Sequence, residues 1–150
     1  MRTISLRRAI GAALAVLSLG AAATAVAEDQ DIIDYRLHIM KTLAAEVSLI
    51  DLIVQKKVPS DSVAAHARIL AVVATSSKPA FVPKQPSAHA KPVIWANWSD
   101  FSSRLDAMIV SAEELAKSAQ TGDVTEVEAR LQAAKATCKC CHDIYVVPKS

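Results

Sequence analysis

One five-residue stretch near the C-terminus, Cys138-Lys139-Cys140-Cys141-His142, constrains this chain more than any other feature. Two cysteines three apart are followed directly by a histidine, which gives the pattern C-x-x-C-H. Residues three apart lie on one face of a helix, so Cys138 and Cys141 can each bond one vinyl group of the same porphyrin. His142 then lies under the iron as an axial ligand. The pattern predicts covalent attachment of one haem c.

Two other uses of paired cysteines compete with this interpretation. A structural zinc site needs four ligands, usually from two separated clusters. Here the three cysteines fall within four residues, and His38, His66 and His89 are scattered singly. A thioredoxin-like site needs its C-x-x-C near a βαβ pattern, and no strand pattern lies nearby. Both alternatives therefore have less support than haem.

The first 27 residues have the features of a signal peptide. Three arginines within the first eight residues precede an apolar run over residues 9–23, and Ala25-Val26-Ala27 is a small-x-small cleavage site. The run is too short for a comfortable membrane span. We therefore predict a removed leader, residues 1–27, and one exported domain, residues 28–150, in the periplasm of a Gram-negative host.

Charge excludes some partners of the mature chain. The whole sequence carries 17 Lys and Arg against 15 Asp and Glu, so loss of the three leader arginines leaves a net charge of about −1. The lysines are spread out and form no basic stripe, so we predict no nucleic-acid binding. No later stretch is long and apolar enough to span a membrane, so none is predicted for the mature form.

Helical periodicity dominates the mature sequence. The whole chain has only three glycines, and no segment alternates with a period of two, which favours an all-helical protein. The predicted helices run from 31 to 58, from 60 or 61 to about 74, from 93 to about 120, and from Asp123, as N-cap, until Pro148 ends the last. This pattern indicates an all-α four-helix bundle.

The segment between the second and third predicted helices is a loop over residues 75–92. Its prolines, at positions 79, 83, 86 and 92, argue against a regular helix. A loop of this length is either a functional cover or a simple crossover. Phe81 is its one aromatic residue, and we expect it to pack on the core.

Three stretches of the sequence resemble one known family. They are Cys138 to Tyr145, then Trp95-Ala96-Asn97-Trp98-Ser99-Asp100-Phe101, and Tyr35-Arg36 with Met40. Together they are similar to the cytochromes c′ and their low-spin, Met-ligated relatives. The resemblance implies an antiparallel four-helix bundle with one covalent haem c, often a homodimer packed through the first two helices. It implies thioether bonds at Cys138 and Cys141, His142 as proximal ligand, Arg36 at a haem propionate and Met40 over the distal face of the iron.

The role of Met40 stays open at this point. Three roles fit this position. As an iron ligand, Met40 would make the protein a six-coordinate electron carrier. As a steric cover it would leave five-coordinate iron open to small gases such as NO or CO, and as a core side chain it would only fill a gap. Arg36 lies one turn earlier on the same side, where it pairs with a carboxylate or is a solvated charge.

Two positions near the attachment motif are unusual. Cys140 is a third thiol, and we expect it to be a spare, partly exposed group rather than half of a disulfide between chains. The family usually has Arg or Lys directly after the aromatic residue, but here that position is Val146. The side of the haem next to His142 is therefore expected to be less polar than usual.

These observations predict a periplasmic c-type cytochrome that transfers electrons to a redox partner protein and binds NO or CO at a restricted distal site. The alternative is a dedicated gas-binding or gas-sequestering protein with five-coordinate iron. We predict no enzymatic activity, because no acid or base lies near Met40 in the sequence.

Overall fold

Six helices make up the part of the chain that this computed structural model describes, residues 18–59 and 61–148, with side chains from residue 29 onward. Four helices are long: α1 Ser18–Val54, α2 Val63–Thr75, α5 Trp98–Ala119 and α6 Val124–Tyr145. Two single turns, α3 Ser77–Ala80 and α4 Val93–Ala96, lie between α2 and α5. Within these ranges the chain has no strand, only one isolated bridge between Ala90 and Val146.

The long helices form a closed ring of neighbours. Helix α1 packs on α2, α2 on α5, α5 on α6, and α6 on α1. Arg36 in α1 reaches the chain just after α2, and Tyr145 at the end of α6 reaches Asp100 at the start of α5. Each helix therefore runs antiparallel to both neighbours, and the predicted four-helix bundle is confirmed.

Aliphatic side chains from all four long helices fill the centre of the bundle. Small and branched residues alternate there, as close packing requires. The core members are Ile39, Leu43, Ile50, Ile53, Val54, Val63, Ala67, Leu70, Ala74, Ala112, Leu115, Ala119, Val127, Leu131 and Ala134. A second, more aromatic cluster closes one end of the bundle, with Phe81, Ile94, Phe101, Leu105 and Tyr145 at its centre. The prediction that Phe81 packs on the core is confirmed.

Helix α1 ends at Val54, four residues before the predicted end at residue 58. Lys56 has a φ of 57°, and its N–H donates to the Ile53 carbonyl at 2.9 Å, while Lys57 N–H donates to the Leu52 carbonyl at 3.0 Å. This bonding is a Schellman motif, which usually has glycine in the left-handed position. A lysine at this position does not mark the end of a helix in the sequence, so the prediction ended the helix just before Pro59.

The predicted loop over 75–92 contains one helical turn, α3, although Pro79 lies within it. The first residues of a helix need no intrahelical N–H partner, so proline is tolerated in a single turn. The third predicted helix is divided at Asn97, whose φ of −114° and ψ of 42° leave the helical region. Asparagine favours such breaks because its side chain competes for backbone hydrogen bonds.

The turn between α5 and α6 follows the prediction closely. Gly122 has a φ of 76°, a conformation that favours glycine. Asp123 caps α6 through its side chain, which accepts from the N–H groups of Thr125 and Glu126.

The predicted leader meets the described residues only in part. Residues 1–17 lie outside them, and residues 18–27 belong to α1. His66 on α2 is half-buried, with Nδ1 2.8 Å from Oε2 of Glu46 on α1. None of the helices within 18–59 and 61–148 combines the length and apolar character that crossing a membrane needs.

Candidate functional site

The C-terminal half of α6 forms one wall of a cavity of about 560 Å³. Cys138, Cys141 and His142 all line it. The two cysteines continue the inward stripe of Leu131 and Ala134, so the helical period itself brings both thiols to the cavity. The predicted juxtaposition of these three residues is therefore present.

Burial affects the protonation of the two thiols of this wall. Both are half-buried, and burial raises the pKa of Cys138 above its usual range and that of Cys141 to about 11. They therefore stay protonated at neutral pH, and thiolates are the nucleophiles in disulfide exchange. Within the described residues no group of three or more His, Cys, Asp or Glu side chains could hold a metal ion. Neither alternative reading of the motif gains support.

Cys140 points away from this wall. It is exposed and is not among the residues that line the cavity. Its position agrees with the prediction of a spare, partly exposed thiol.

The opposite wall of the cavity comes from α1. Its lining side chains are mainly aliphatic: Ile33, Leu37, Met40, Leu43, Ala44 and Val47. Met40 also packs against both the aliphatic core and the aromatic cluster. The apolar residues of α1 thus serve two surfaces, because Ile39, Ile50 and Ile53 face the core while Ile33, Leu37 and Ala44 face the cavity.

Arg36 also lines the cavity, but its guanidinium is engaged by the connection after α2. Nε donates to the Ala80 carbonyl at 2.6 Å, Nη1 to the Gln85 carbonyl at 2.5 Å, and Nη2 to the Pro83 carbonyl. Its Cζ lies 5.0 Å from the Phe81 ring centroid and 5.4 Å from that of Trp95. Burial lowers the pKa of Arg36. The structure therefore gives Arg36 a fastening role, and its contact with a propionate stays a prediction.

Residues 87–91 form a strap across one edge of the cavity. Lys91 N–H donates to the Tyr145 carbonyl, and Val147 N–H donates to the His89 carbonyl, each at 3.0 Å. Ser87, His89 and Ala90 of this strap line the cavity together with Val146. The long loop is thus both a crossover and a cover, which the sequence had left as alternatives.

Two further cations line the cavity. Arg104 on α5 pairs with Asp100, and Lys135 on α6 lies 3.1 Å from Asp51 on α1. No carboxylate belongs to the cavity lining among the described residues. The cavity is therefore apolar on its walls and cationic at its margins.

Comparison with known proteins identifies the family. The family model described as Cytochrome C′ matches residues 31–145. The chain belongs to the cytochrome c′ family. Cytochrome c′ of Rhodospirillum rubrum is 31% identical over 142 residues, covering 91% of this chain and 95% of the relative. Cytochrome c′ of Pararhodospirillum photometricum is 28% identical over 118 residues, covering 75% of this chain and 94% of the relative.

Solved cytochrome c′ structures share the bundle. The nitric oxide complex of a single-residue variant from Alcaligenes xylosoxidans superposes with a TM-score of 0.76 at 24% identity, covering 81% of this chain and 97% of that one. Cytochrome c′ from Rubrivivax gelatinosus gives a TM-score of 0.73 at 23% identity, covering 79% and 97%. Likeness at this identity establishes the fold.

The cofactor of the cytochrome c′ family is a single covalent haem c, and the site fits it. Haem is an apolar macrocycle with two carboxylates. The cavity offers aliphatic walls, cationic margins, and two inward thiols followed by His142. Cys138 and Cys141 would hold the macrocycle, and His142 and Met40 lie on the walls on either side. Their individual bonds to haem stay predictions.

The sequence reasoning missed Arg104, Lys135 and His89 as members of this cytochrome c′ site. Lys135 lies three residues before Cys138, so helical spacing could have placed it on the same face. Arg104 gave the weaker signal of an Asp100–Arg104 pair at the i,i+4 spacing. His89 gave none, because its position depends on hydrogen bonds to residues more than fifty positions later.

Proposed function

We propose that this cytochrome c′ is an exported electron-transfer protein whose restricted cavity also admits small neutral gases. One observation carries the proposal: Cys138, Cys141 and His142 form one wall of an apolar cavity, and Met40 stands on the wall opposite. Haem held there supplies one-electron exchange and an iron site for diatomic ligands.

The side chains around the cavity have simple tasks in this function. Cys138 and Cys141 would hold the macrocycle on α6, and His142 would supply a nitrogen ligand to the iron. The aliphatic side chains of α1 exclude water, which keeps the surroundings of the iron at low polarity. Met40 restricts access from the α1 side.

The side chains that line the cavity support one-electron exchange by the haem rather than catalytic turnover. Proton transfer to a bound substrate needs a positioned acid or base. The α1 wall opposite His142 offers a thioether and aliphatic groups, together with Ser48 and with Arg36, whose guanidinium is hydrogen-bonded to backbone carbonyls after α2. We therefore propose no enzymatic reaction.

A dedicated gas-binding protein is the second candidate. The solved relatives include nitric oxide complexes of cytochrome c prime variants from Alcaligenes xylosoxidans. The mainly aliphatic α1 wall suits neutral diatomic molecules such as NO and CO. In this reading Met40 is a cover and electron transfer is secondary.

Export and dimerisation belong to the same proposal. The leader features of residues 1–27 support export to the periplasm. A homodimer through α1 and α2 is supported by exposed apolar side chains on these helices, Leu49, Leu52, Ile69 and Val72. Sedimentation of the exported protein at micromolar concentration tests it, and a monomer there would contradict it.

An absorption spectrum separates the two functions. The exported protein, expressed with haem-maturation machinery, is recorded oxidised and dithionite-reduced, with and without CO. Sharp low-spin α and β bands that CO leaves unmoved would make Met40 a ligand and the protein an electron carrier. A high-spin reduced spectrum that CO shifts strongly would favour gas binding. Absence of a Soret band would contradict both.

A further inference from the structure

Three side chains form a hydrogen-bonded network beside the attachment motif. Tyr145 Oη donates to Oδ2 of Asp100 at 2.6 Å. Arg104 donates to the same carboxylate twice, from Nε to Oδ2 at 2.7 Å and from Nη2 to Oδ1 at 3.2 Å. A two-point pairing of this kind fixes the orientation of both charged groups. This network thus joins α5 to the last turn of α6.

Arg104 and Tyr145 are the members of this network that line the cavity, and Arg104 is the charged one. Its Nη1 donates to the Cys140 carbonyl at 3.2 Å, and the residue lines the cavity together with Cys141 and His142. Asp100 does not belong to the cavity lining. The positive end of the pair therefore lies closer to the haem site than the negative end.

Other charges near the motif are placed differently. Lys139 and Asp143 pair with each other at 2.6 Å on the exposed side of α6, outside the cavity lining. Lys135 lines the cavity but is paired with Asp51 of α1. Val146, directly after Tyr145, lines the cavity without a charge. Arg104 is thus the cation that α5 contributes next to His142.

We propose that the Arg104–Asp100 pair sets the reduction potential of the haem, with Arg104 raising it and Asp100 lowering it. Oxidised haem carries one more positive charge than reduced haem, so a nearby cation disfavours oxidation and a nearby anion favours it. Because Arg104 is closer, the intact pair has a net raising effect. Tyr145 fixes the position of Asp100 through its hydrogen bond. This inference needs only attached haem and not a particular physiological role.

Reduction potentials of holoprotein variants test the charge pair. Arg104→Gln is expected to shift the potential downward and Asp100→Asn to shift it upward. The double variant is expected to lie closer to the wild type than Arg104→Gln does. Arg104→Lys keeps the charge and should restore most of the wild-type value. Asp106→Asn is the matched control on α5, because Asp106 pairs with Lys78 away from the cavity, and it should leave the potential unchanged.

Tyr145→Phe distinguishes charge from mere positioning, because it removes a hydrogen bond without changing a charge. A shift in this variant as large as that of Asp100→Asn would overturn the proposal. Shifts of the same sign in Arg104→Gln and Asp100→Asn, or no shift in either, would also overturn it. Haem content and far-UV circular dichroism confirm that each variant is folded and loaded. A wild-type chain without covalent haem would instead contradict the proposed function.

Discussion

Met40 is the side chain that the proposed function makes the restriction on ligand access. It lines the cavity from α1 and packs against both hydrophobic clusters. Met40→Ala is expected to speed CO association about tenfold, which corresponds to about 1.4 kcal/mol of removed barrier. Flash photolysis of the reduced protein measures this rate.

The matched control for this variant is Met108→Ala. Met108 also lines the cavity and contacts both clusters, but from α5. Its truncation should lower stability and leave the CO rate closer to that of the wild type. Equal acceleration in both variants would show that cavity size, and not the position of Met40, controls entry.

Tyr145 makes the stability of the fold sensitive to alkaline pH. Burial and then the hydrogen bond to Asp100 raise its pKa from 10.0 to about 12. The unfolded chain loses this proton first, so the stabilising effect is complete below pH 10 and disappears as pH rises toward 12. Melting temperatures between pH 9 and pH 12 should fall more steeply for the wild type than for Tyr145→Phe.

Tyr35→Phe serves as the control for that titration. Tyr35 is 55% exposed on α1, away from the described network, so its variant should follow the wild-type curve. Parallel curves for the wild type and Tyr145→Phe would contradict the assignment.

At the scale of the elements, Arg36 fastens α1 to the connection that follows α2. Three backbone carbonyls accept from it, and lysine can satisfy only part of this fork. Arg36→Lys should therefore raise amide hydrogen exchange in residues 80–85 roughly tenfold, since each lost hydrogen bond costs about 1 kcal/mol. Mass spectrometry of the peptide spanning these residues measures the change.

Arg68→Lys is the matched control for this exchange experiment. Arg68 is exposed on α2, and its variant should leave the exchange of residues 80–85 unchanged. Unchanged exchange in Arg36→Lys, combined with an altered haem spectrum, would favour the propionate contact that the family resemblance implies.

The sequence predicted the elements better than it predicted their contacts. Asp123 and Pro148 predicted the two ends of α6 to within three residues, because a capping residue and a proline affect only the helix turn next to them. The early end of α1 was missed because Lys56 occupies a position that usually needs glycine. The partners of Arg36 could not be predicted, since they lie more than forty residues away in a segment without periodicity.

The same distinction holds for the site. The motif spacing alone placed Cys138, Cys141 and His142 on one wall, since a single helix carries all three. Arg104 and His89 arrive from other parts of the chain, and only the packing of α5 on α6 and the strap bring them there. Local rules therefore found the residues that are expected to hold the cofactor, and they missed Arg104 and His89, which line the cavity from other parts of the chain.

At the scale of the whole molecule, the cavity links cofactor attachment to stability. Its walls are apolar side chains from three long helices, and a covalently attached haem that fills the cavity stabilises the fold by burying them. The variant Cys138→Ser with Cys141→Ser should lack covalent haem and melt at a lower temperature than the wild type. Haem staining after denaturing electrophoresis and thermal melts followed by circular dichroism measure both effects.

Cys140→Ser is the control for the double serine variant. It removes an exposed thiol outside the cavity, so attachment and melting temperature should match the wild type. Loss of haem in Cys140→Ser would mean that the attaching pair has been assigned wrongly.

The strap of residues 87–91 has a consequence for truncated forms of the protein. Its backbone partners, the Tyr145 carbonyl and the Val147 N–H, both follow the attachment motif in the sequence. A chain that carries the motif but lacks these two groups therefore cannot hold the strap across the edge of the cavity. Cleavage by a protease or a premature stop between His142 and Val147 would leave the motif intact but release the strap. An extension fused after Pro148 should be separated from Val147 by a flexible spacer.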